Sequence, residues 1–364
     1  MFLSIARFEF RFQRKSPVFW VSVAFFFLFA FAGMTIDEVQ VGSGGNINAN
    51  SPYAIATNHL IWSLFFMFAS TAFVANVIVR DDETRYGPIV RSTAIRKFDY
   101  LFGRFAGAFL AIALAFAAIP LAVWLGSLMP WLDQETLGPN RLGDYLYSYF
   151  LLGLPTLFVT SAFFFALATI TRSMMWTYLG VVGFFILYSV GTSLLQQQPQ
   201  LETLVAYADP FALTAYGLVT EYWTAAERNT LNPPFSGVLL GNRLIWVAAG
   251  FALLGLAYAL YRFSDRGLSK RKERRRREME KASLQTAEAP AQRLSEPLPA
   301  GTFGAATRRA QLWTRLRFEM RQIFKSPAYA VLLILAAGLA ASGLWFGGEI
   351  YGTPPVASTL LVIQ

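Results

Sequence analysis

Six apolar segments, each about as long as a membrane-spanning helix, are the feature that most restricts how this chain can fold. A helix that crosses a bilayer needs about 20 mostly apolar residues. The chain is 55% hydrophobic and only 15% charged, whereas soluble domains are about 25% charged. The sequence therefore predicts an all-α, polytopic transmembrane helical bundle. The predicted spans are 18–34, 58–79, 104–128, 145–170, 175–195 and 241–262.

The distribution of lysine and arginine predicts how these spans are oriented. These residues concentrate on the cytoplasmic side of membrane proteins. If the N-terminus is cytoplasmic, the outer connections hold only Arg141, Arg228 and Arg243, and the remaining cations fall inside. We therefore expect a multi-pass protein of the cell (inner) membrane. This asymmetry explains the net charge of +9 by topology and contact with anionic lipid, and no nucleic-acid partner is expected.

A stretch near the start of the chain recurs 310 residues later. Residues 7–17 and 317–327 are identical at seven of eleven positions, and each stretch runs into an apolar block. In the first copy, cations and aromatic residues fall on different sides of a helix, which predicts a basic amphipathic helix in the membrane interface. A charged flank of an ordinary signal anchor is the alternative, but the second copy favours an architectural role. The residues assigned to the two interfacial helices are Arg7, Phe8, Glu9, Arg11, Lys15, Arg317, Phe318, Glu319, Arg321 and Lys325.

The repeat also predicts the domain organisation. Residues 1–262 would form a first six-span module, 263–308 a basic and partly disordered cytoplasmic linker, and 309–364 the start of a second module. A seventh span is expected at 328–346 and the start of an eighth at 356–364, so we expect the chain to be truncated within the second module. A complete second module would repeat the charged connection that follows span two near residue 390.

The sequence lacks motifs for catalysis. It contains one histidine, His59, and no cysteine, so disulfides and clustered metal ligands are not expected. A Gly-x-x-x-x-Gly-Lys-Ser/Thr phosphate loop and a His-Glu-x-x-His zinc motif are also missing. The chain is therefore expected not to be an enzyme and to hold no cofactor of its own.

The charged connection between spans two and three is the most informative segment for function. It covers residues 80–100 and carries both signs of charge, whereas a loop that only fixes topology needs cations alone. Its acidic residues indicate a surface that faces another protein, with a solvated loop as the alternative. Gly87-Pro88 predicts a turn, and the apolar residues after it can form one side of a short helix along the membrane. The apolar residues are Ile89, Val90, Thr93 and Ile95, and the contact residues are Arg80, Asp81, Asp82, Glu83, Arg85, Tyr86, Gly87 and Arg91.

An interfacial helix, six spans, a charged segment after span two and a long outer loop before span six resemble the type-2 ABC exporter permeases. The resemblance covers about residues 1–262 and restarts at 309. Residues 80–100 look like the coupling-helix region of that family, in which an acidic-and-glycine stretch precedes the third span. The family's usual proline after that stretch has no counterpart here beyond Pro88. Two further segments, Asp209-Pro210-Phe211 and Asn242-Arg243-Leu244-Ile245-Trp246, are similar to a bacterial subset in which a double-length permease can be joined to a zinc aminopeptidase domain.

The resemblance implies a permease subunit of an ATP-binding-cassette exporter. Separate ATP-binding subunits would carry ATP and Mg²⁺ and press on the coupling segment, and substrate would pass between two six-span modules, in one chain or in a dimer. Two other functions stay open at this level. One is the membrane anchor of a peptidase whose catalytic domain lies beyond residue 364, and the other is a non-ABC channel or carrier.

Overall fold

The described part of the chain is built from helices. The computed structural model describes residues 1–36, 42–44, 46–84, 87–195, 199–261 and 304–324. There is no β-strand among those residues, which confirms the predicted all-α class. The helices are α1 (Phe2–Lys15), α2 (Pro17–Thr35), α3 (Pro52–Glu83), α4 (Gly87–Arg91), α5 (Lys97–Phe116), α6 (Ala118–Gly126), α7 (Leu142–Tyr147), α8 (Leu154–Thr171), α9 (Met174–Leu195), α10 (Glu202–Ala208), α11 (Leu213–Thr220), α12 (Ala225–Thr230), α13 (Gly237–Leu260) and α14 (Ala305–Phe324).

The chain divides into two units by its internal contacts. They are Met1–Tyr261 and Arg262–Gln364. Helices α1 to α13 belong to the first unit, and α14 is in the second. The predicted seventh span at 328–346, the start of an eighth at 356–364 and Lys325 lie outside the described residues.

Among the described residues, six helical stretches are long and apolar enough to cross a membrane, as the sequence predicts. The protein is therefore a membrane-embedded, multi-pass protein. The third stretch begins at Lys97, not at residue 104, because the structure accommodates the charge of Arg104 inside the bundle. The six stretches are Pro17–Thr35, Pro52–Asp81, Lys97–Gly126, Leu142–Thr171, Met174–Thr192 and Gly237–Leu260.

Helices α3 and α8 pack along each other at the centre of the bundle. The apolar windows of spans two and four are 56% and 61% buried, whereas that of α9 is only 11% buried. Lipid tails are as apolar as these side chains, so an exposed apolar face costs little inside a membrane. Helix α9 therefore lies at the periphery of this unit, where it is open to lipid or to another membrane helix.

Spans three and four are both interrupted next to a proline. Helix α5 ends at Phe116 and α6 begins at Ala118, with Pro120 in the first turn of α6. In span four, Ser148–Gly153 form a π-helix between α7 and α8, and Pro155 lies in the first turn of α8. Proline is tolerated in a first helical turn but cannot continue the hydrogen bonding of a helix interior. Pro120 and Pro155 therefore lie where these two spans are interrupted.

The connections between spans one and two, three and four, and five and six meet at one end of the bundle, called the loop end here. The N–H of Asn48 donates to Asn229 Oδ1 at 2.8 Å, and the N–H of Gly138 donates to Asn50 Oδ1 at 2.7 Å. These bonds tie the first of the three connections to the other two. Helices α1 and α4 lie at the opposite end, called the basal end.

Candidate functional site

Helix α1 docks against the basal end of the bundle through two glycines of α5. Gly103 and Gly107 face α1, and a Cβ atom added to Gly107 would lie 2.3 Å from the carbonyl oxygen of Ala6 and 2.7 Å from Glu9 Cβ. Only glycine permits such a close approach, as in other small-residue contacts between membrane helices. The sequence reasoning missed this contact, although the Gly-x-x-x-Gly spacing is a known sign of close packing.

Four charged side chains meet beside this contact and form what we call the ion cluster: Glu9, Arg80, Asp81 and Arg104. Arg104 donates to Glu9 through Nη1 and to Asp81 Oδ2 through Nη2 at 2.6 Å. Arg80 Nη2 donates to Glu9 Oε2 at 3.0 Å. The side chains of Glu9, Asp81 and Arg104 are at most 6% exposed. Two acids and two bases make the cluster formally neutral, which offsets much of the cost of burying each charge.

Neutral side chains complete the hydrogen bonding of both carboxylates. Gln13 Nε2 donates to Glu9 Oε1 at 2.7 Å. The hydroxyl of Tyr100 donates to Asp81 Oδ2 at 2.8 Å. Buried ion pairs need such additional donors, since each unpaired lone pair would add to the desolvation cost. The cluster is therefore a fixed structural node in which each carboxylate accepts bonds from several donors.

The ion cluster joins three elements of the chain. Arg80 and Asp81 lie just before the connection between spans two and three, and Tyr100 and Arg104 lie just after it. Glu9 adds α1 to the same node. Both ends of the connection are thus fixed to each other and to α1, with α4 between them. A displacement of α4 would therefore be transmitted to α1, α3 and α5 together, because the ends of the connection are not flexible.

The structure describes part of the predicted contact site. Arg80 and Asp81 belong to the ion cluster, and Asp81 is 3% exposed. The prediction that Asp81 faces another protein is therefore wrong, because Arg104 and Tyr100 occupy its carboxylate. Gly87 is buried at the start of α4. The side chains of Asp82, Glu83 and Arg91, together with Arg85 and Tyr86, lie outside what the structure describes.

Helix α4 is shorter than the sequence suggests. Val90 is 7% exposed and Ile89 is 60% exposed. Adjacent residues of a helix point in directions about 100° apart, and here only Val90 is turned towards the bundle. Thr93 Oγ1 donates to the carbonyl of Val90 at 2.6 Å just beyond the helix, and Ile95 lies outside it. The predicted four-residue apolar side is therefore wrong.

Helix α1 has three faces, where the sequence predicted two. Its basic face is exposed, as an interfacial helix requires, and Phe8 is 56% exposed. The third face is buried against the bundle and contains Glu9. The placement of Glu9 on the interfacial surface is thus corrected, because the carboxylate pairs with Arg80 and Arg104, 71 and 95 residues away. The exposed cations are Arg7, Arg11, Arg14 and Lys15, and the buried face consists of Ala6, Glu9 and Gln13.

The second copy of the repeat is also helical, as α14 within the second unit. Arg317, Phe318 and Arg321 are exposed. Glu319 Oε1 accepts a hydrogen bond from Arg315 Nε at 3.0 Å, and the two side chains are 56% and 81% exposed. Exposed pairs of this spacing contribute only about 0.3–0.5 kcal/mol. The same glutamate of the repeat is thus part of a buried cluster in α1 and of a surface pair in α14.

A second buried cation lies near the loop end of span six. Arg243 was counted with the outer connections, although the predicted sixth span begins at residue 241, and it is 3% exposed within α13. It donates to Thr156 Oγ1 at 2.8 Å, to the carbonyl of Pro210 at 3.2 Å and to Asn242 Oδ1 at 2.6 Å. Asn242 Nδ2 in turn donates to the carbonyl of Asp209 at 2.8 Å. The two segments singled out by the family resemblance therefore contact each other.

Comparison with protein-family models and with curated proteins found no match to this chain. Within the residues that the structure describes, no group of three His, Asp or Glu side chains could hold a metal ion. The function of the chain is therefore inferred from the geometry of the basal end and from the sequence resemblance.

Proposed function

We propose that this chain is the membrane-spanning permease subunit of an ATP-binding-cassette exporter that is driven by separate ATP-binding subunits. The chain would sit in the cell inner membrane with its basal end in the cytoplasm. ATP and Mg²⁺ would be held by the partner subunit. The excess of cations at the basal end supports this orientation, since positive residues are retained on the cytoplasmic side.

The observation that carries the proposal is the fixation of both ends of the connection between spans two and three. A driving subunit that pushes on α4 can move the bundle only if the connection is firmly rooted. The ion cluster provides such a root, because Asp81 and Arg104 join its two ends at 2.6 Å and Glu9 adds α1. The other charged residues of the connection would then be left to contact the partner.

A second six-span module, in the same chain or in a dimer partner, would complete the transport path. The apolar window of α9 is only 11% buried in this unit, so an extensive helix surface is available for such a partner. The recurrence of the first helix as α14 favours a partner module in the same chain. The exposed cations of α1 would contact anionic lipid at the cytoplasmic surface, at about 1 kcal/mol for each cation.

Purification in mild detergent from native membranes tests the proposal. We expect an ATP-binding subunit to co-purify, and we expect Asp82→Lys combined with Glu83→Lys to release it while the bundle stays folded. Glu202→Lys combined with Glu221→Lys is the matched control, because both glutamates are exposed at the loop end. That control should retain the subunit.

Absence of any ATP-binding subunit, under conditions that preserve membrane complexes, would contradict the proposal. Transport by the purified chain alone in proteoliposomes would then favour a channel or carrier. A subunit retained by the Asp82 and Glu83 double variant would instead place the contact elsewhere on the basal surface.

A further inference from the structure

A half-open cavity of about 200 Å³ lies near the loop end, between span five, α10 and span six. Phe184, Leu187 and Tyr188 of α9 form one wall, Val205 of α10 a second, and Trp246 of α13 a third. The ring of the fully buried Phe211 packs against Tyr188, with the ring centroids 4.8 Å apart. The cavity is therefore lined mainly by hydrocarbon and aromatic surface.

The polar side chains in the wall are already hydrogen-bonded within the protein. The two carboxylate oxygens of Asp209 accept the N–H groups of Phe211 and Thr214 at 2.8 and 2.7 Å. Thr192 Oγ1 donates to the carbonyl of Tyr188 at 2.8 Å. Polar atoms that are paired in this way offer little to a polar ligand, which would lose its hydrogen bonds to water on entering. An occupant of this cavity must therefore be apolar.

The position of the cavity indicates where that apolar group comes from. Trp246 lies nine residues into α13, which is roughly 14 Å along the helix axis from its loop-end start. Leu187, in the opposite wall, is 73% exposed on the outer surface of the bundle. The opening of the cavity thus lies on the outer surface of span five, within the length of the apolar spans, where acyl chains would surround the bundle. Dry apolar cavities of about 150 Å³ can hold a benzene-sized molecule, so this one has room for the end of an acyl chain.

We propose that this cavity binds one acyl chain of a phospholipid from the leaflet at the loop end. Burying the chain end would fill space that no protein atom occupies, and the aromatic wall would contact it. Since α10 and the Asp209 turn form one side of the cavity and α9 the other, a bound chain would bridge the peripheral span five and the loop-end helices. This proposal does not depend on how transport is driven.

The glycine at 191 allows the cavity to be filled without disturbing the backbone. Gly191 lines the cavity, and no atom lies within 4 Å of a Cβ added there. Gly191→Phe should therefore place its ring in the cavity. Ala208→Phe is an independent filling variant, because Ala208 is exposed and also lines the cavity. Gly183→Phe is the matched control on the same helix, since an added Cβ meets nothing there either and Gly183 does not line the cavity.

The experiment uses the full chain in vesicles of phosphatidylethanolamine and phosphatidylglycerol that contain a phospholipid with a diazirine at the end of one acyl chain. After illumination, mass spectrometry maps the labelled peptides. We expect labelling concentrated in 184–192 and 205–210. Both filling variants should lower it about tenfold, which is the change in binding expected when roughly two methylene groups of the acyl chain are no longer buried. Gly183→Phe should leave it unchanged.

Two results would overturn the proposal. One is labelling spread evenly over the exposed faces of all six spans, which would mean ordinary surrounding lipid. The other is labelling of 184–192 and 205–210 that persists in both filling variants. Size-exclusion profiles and melting temperatures close to those of the unmodified protein establish that the variants are folded.

Discussion

Removing the charge of Glu9 should release α1 from the bundle. Glu9→Gln keeps the size of the side chain and its bond to Gln13, but it leaves Arg80 and Arg104 without the acid they share. The side chains of Glu9 and Arg104 are 0% and 6% exposed, and breaking so buried an ion pair typically costs about 3–5 kcal/mol. Polar contacts between membrane helices measure lower on average, so we take about 3 kcal/mol, which raises the undocked population about a hundredfold.

A single introduced cysteine can report this population, because the sequence contains none. Ala6 is 6% exposed, and its carbonyl packs against Gly107. Ala6→Cys should therefore react with a water-soluble maleimide only while α1 is undocked. If undocking is fast compared with labelling, the rate follows the open population, and Glu9→Gln should raise it about a hundredfold. Arg7→Cys, on the exposed face, should react rapidly in both backgrounds.

The repeat supplies the matched control. Glu319 has the same place in the repeat as Glu9, but it pairs with Arg315 at the surface. Glu319→Gln should therefore leave the labelling rate of Ala6→Cys unchanged. A rise of less than about threefold in Glu9→Gln, equivalent to less than about 0.7 kcal/mol, would refute the reasoning. In that case the glycine contact alone would hold α1, and the ion cluster would not root the connection.

Three further changes test other parts of the bundle. Gly107→Val should also undock α1, because the added side chain would overlap the backbone of α1 and destabilise the docked state by about 1–3 kcal/mol. Gly183→Val is the control, since an added Cβ meets nothing there, and it should leave the cysteine labelling rate unchanged. Arg243→Met should lower the melting temperature in detergent, since it removes the donor to the carbonyl of Pro210 and to Asn242 Oδ1, at about 1–3 kcal/mol for each acceptor left unpaired. An unchanged melting temperature would contradict that role. The pKa of Glu227 is lowered because the backbone N–H and hydroxyl of Thr224 donate to its carboxylate. These hydrogen bonds stabilise α12 above the ordinary glutamate pKa, and the stabilisation is lost as the pH falls through the lowered value. The protection of α12 amides against hydrogen exchange, corrected for intrinsic rates, should therefore decrease in that pH range. In Thr224→Ala the decrease should occur at a higher pH.

The six spans among the described residues could be predicted from the sequence because a span follows from local quantities. Apolar length identifies a span. The boundaries were less accurate where a charge is neutralised by a distant residue. Arg104 was taken as the start of span three, whereas α5 begins at Lys97 and Asp81 compensates the arginine inside. Arg243 was counted with the outer connections although the predicted sixth span begins at residue 241, and its side chain is held by hydrogen bonds to Thr156, Asn242 and the carbonyl of Pro210.

The candidate site could be predicted only as a segment of the chain. A mixed-charge connection after span two drew attention to residues 80–100, and Arg80 and Asp81 do belong to a cluster. The sequence could not reveal that Asp81 points inward, because that depends on the position of Arg104. Glu9 was equally hidden, since an acid within a basic helix usually lies in solvent. The Gly103 and Gly107 pair was the one local sign that α1 docks closely.

Because the ion cluster fixes both ends of the connection between spans two and three, the sequence between those ends can vary. With the two ends of the connection fixed by Asp81 and Arg104, the exposed stretch 92–94 that follows α4 can change in length or sequence without moving the spans that the connection joins. The entropic cost of a longer loop grows only slowly with length, and rigid scaffolds in general tolerate variation in the loops they carry. The basal end is therefore a natural site for grafting: a foreign segment inserted between the same two ends should change which surface the protein presents while the bundle keeps its fold.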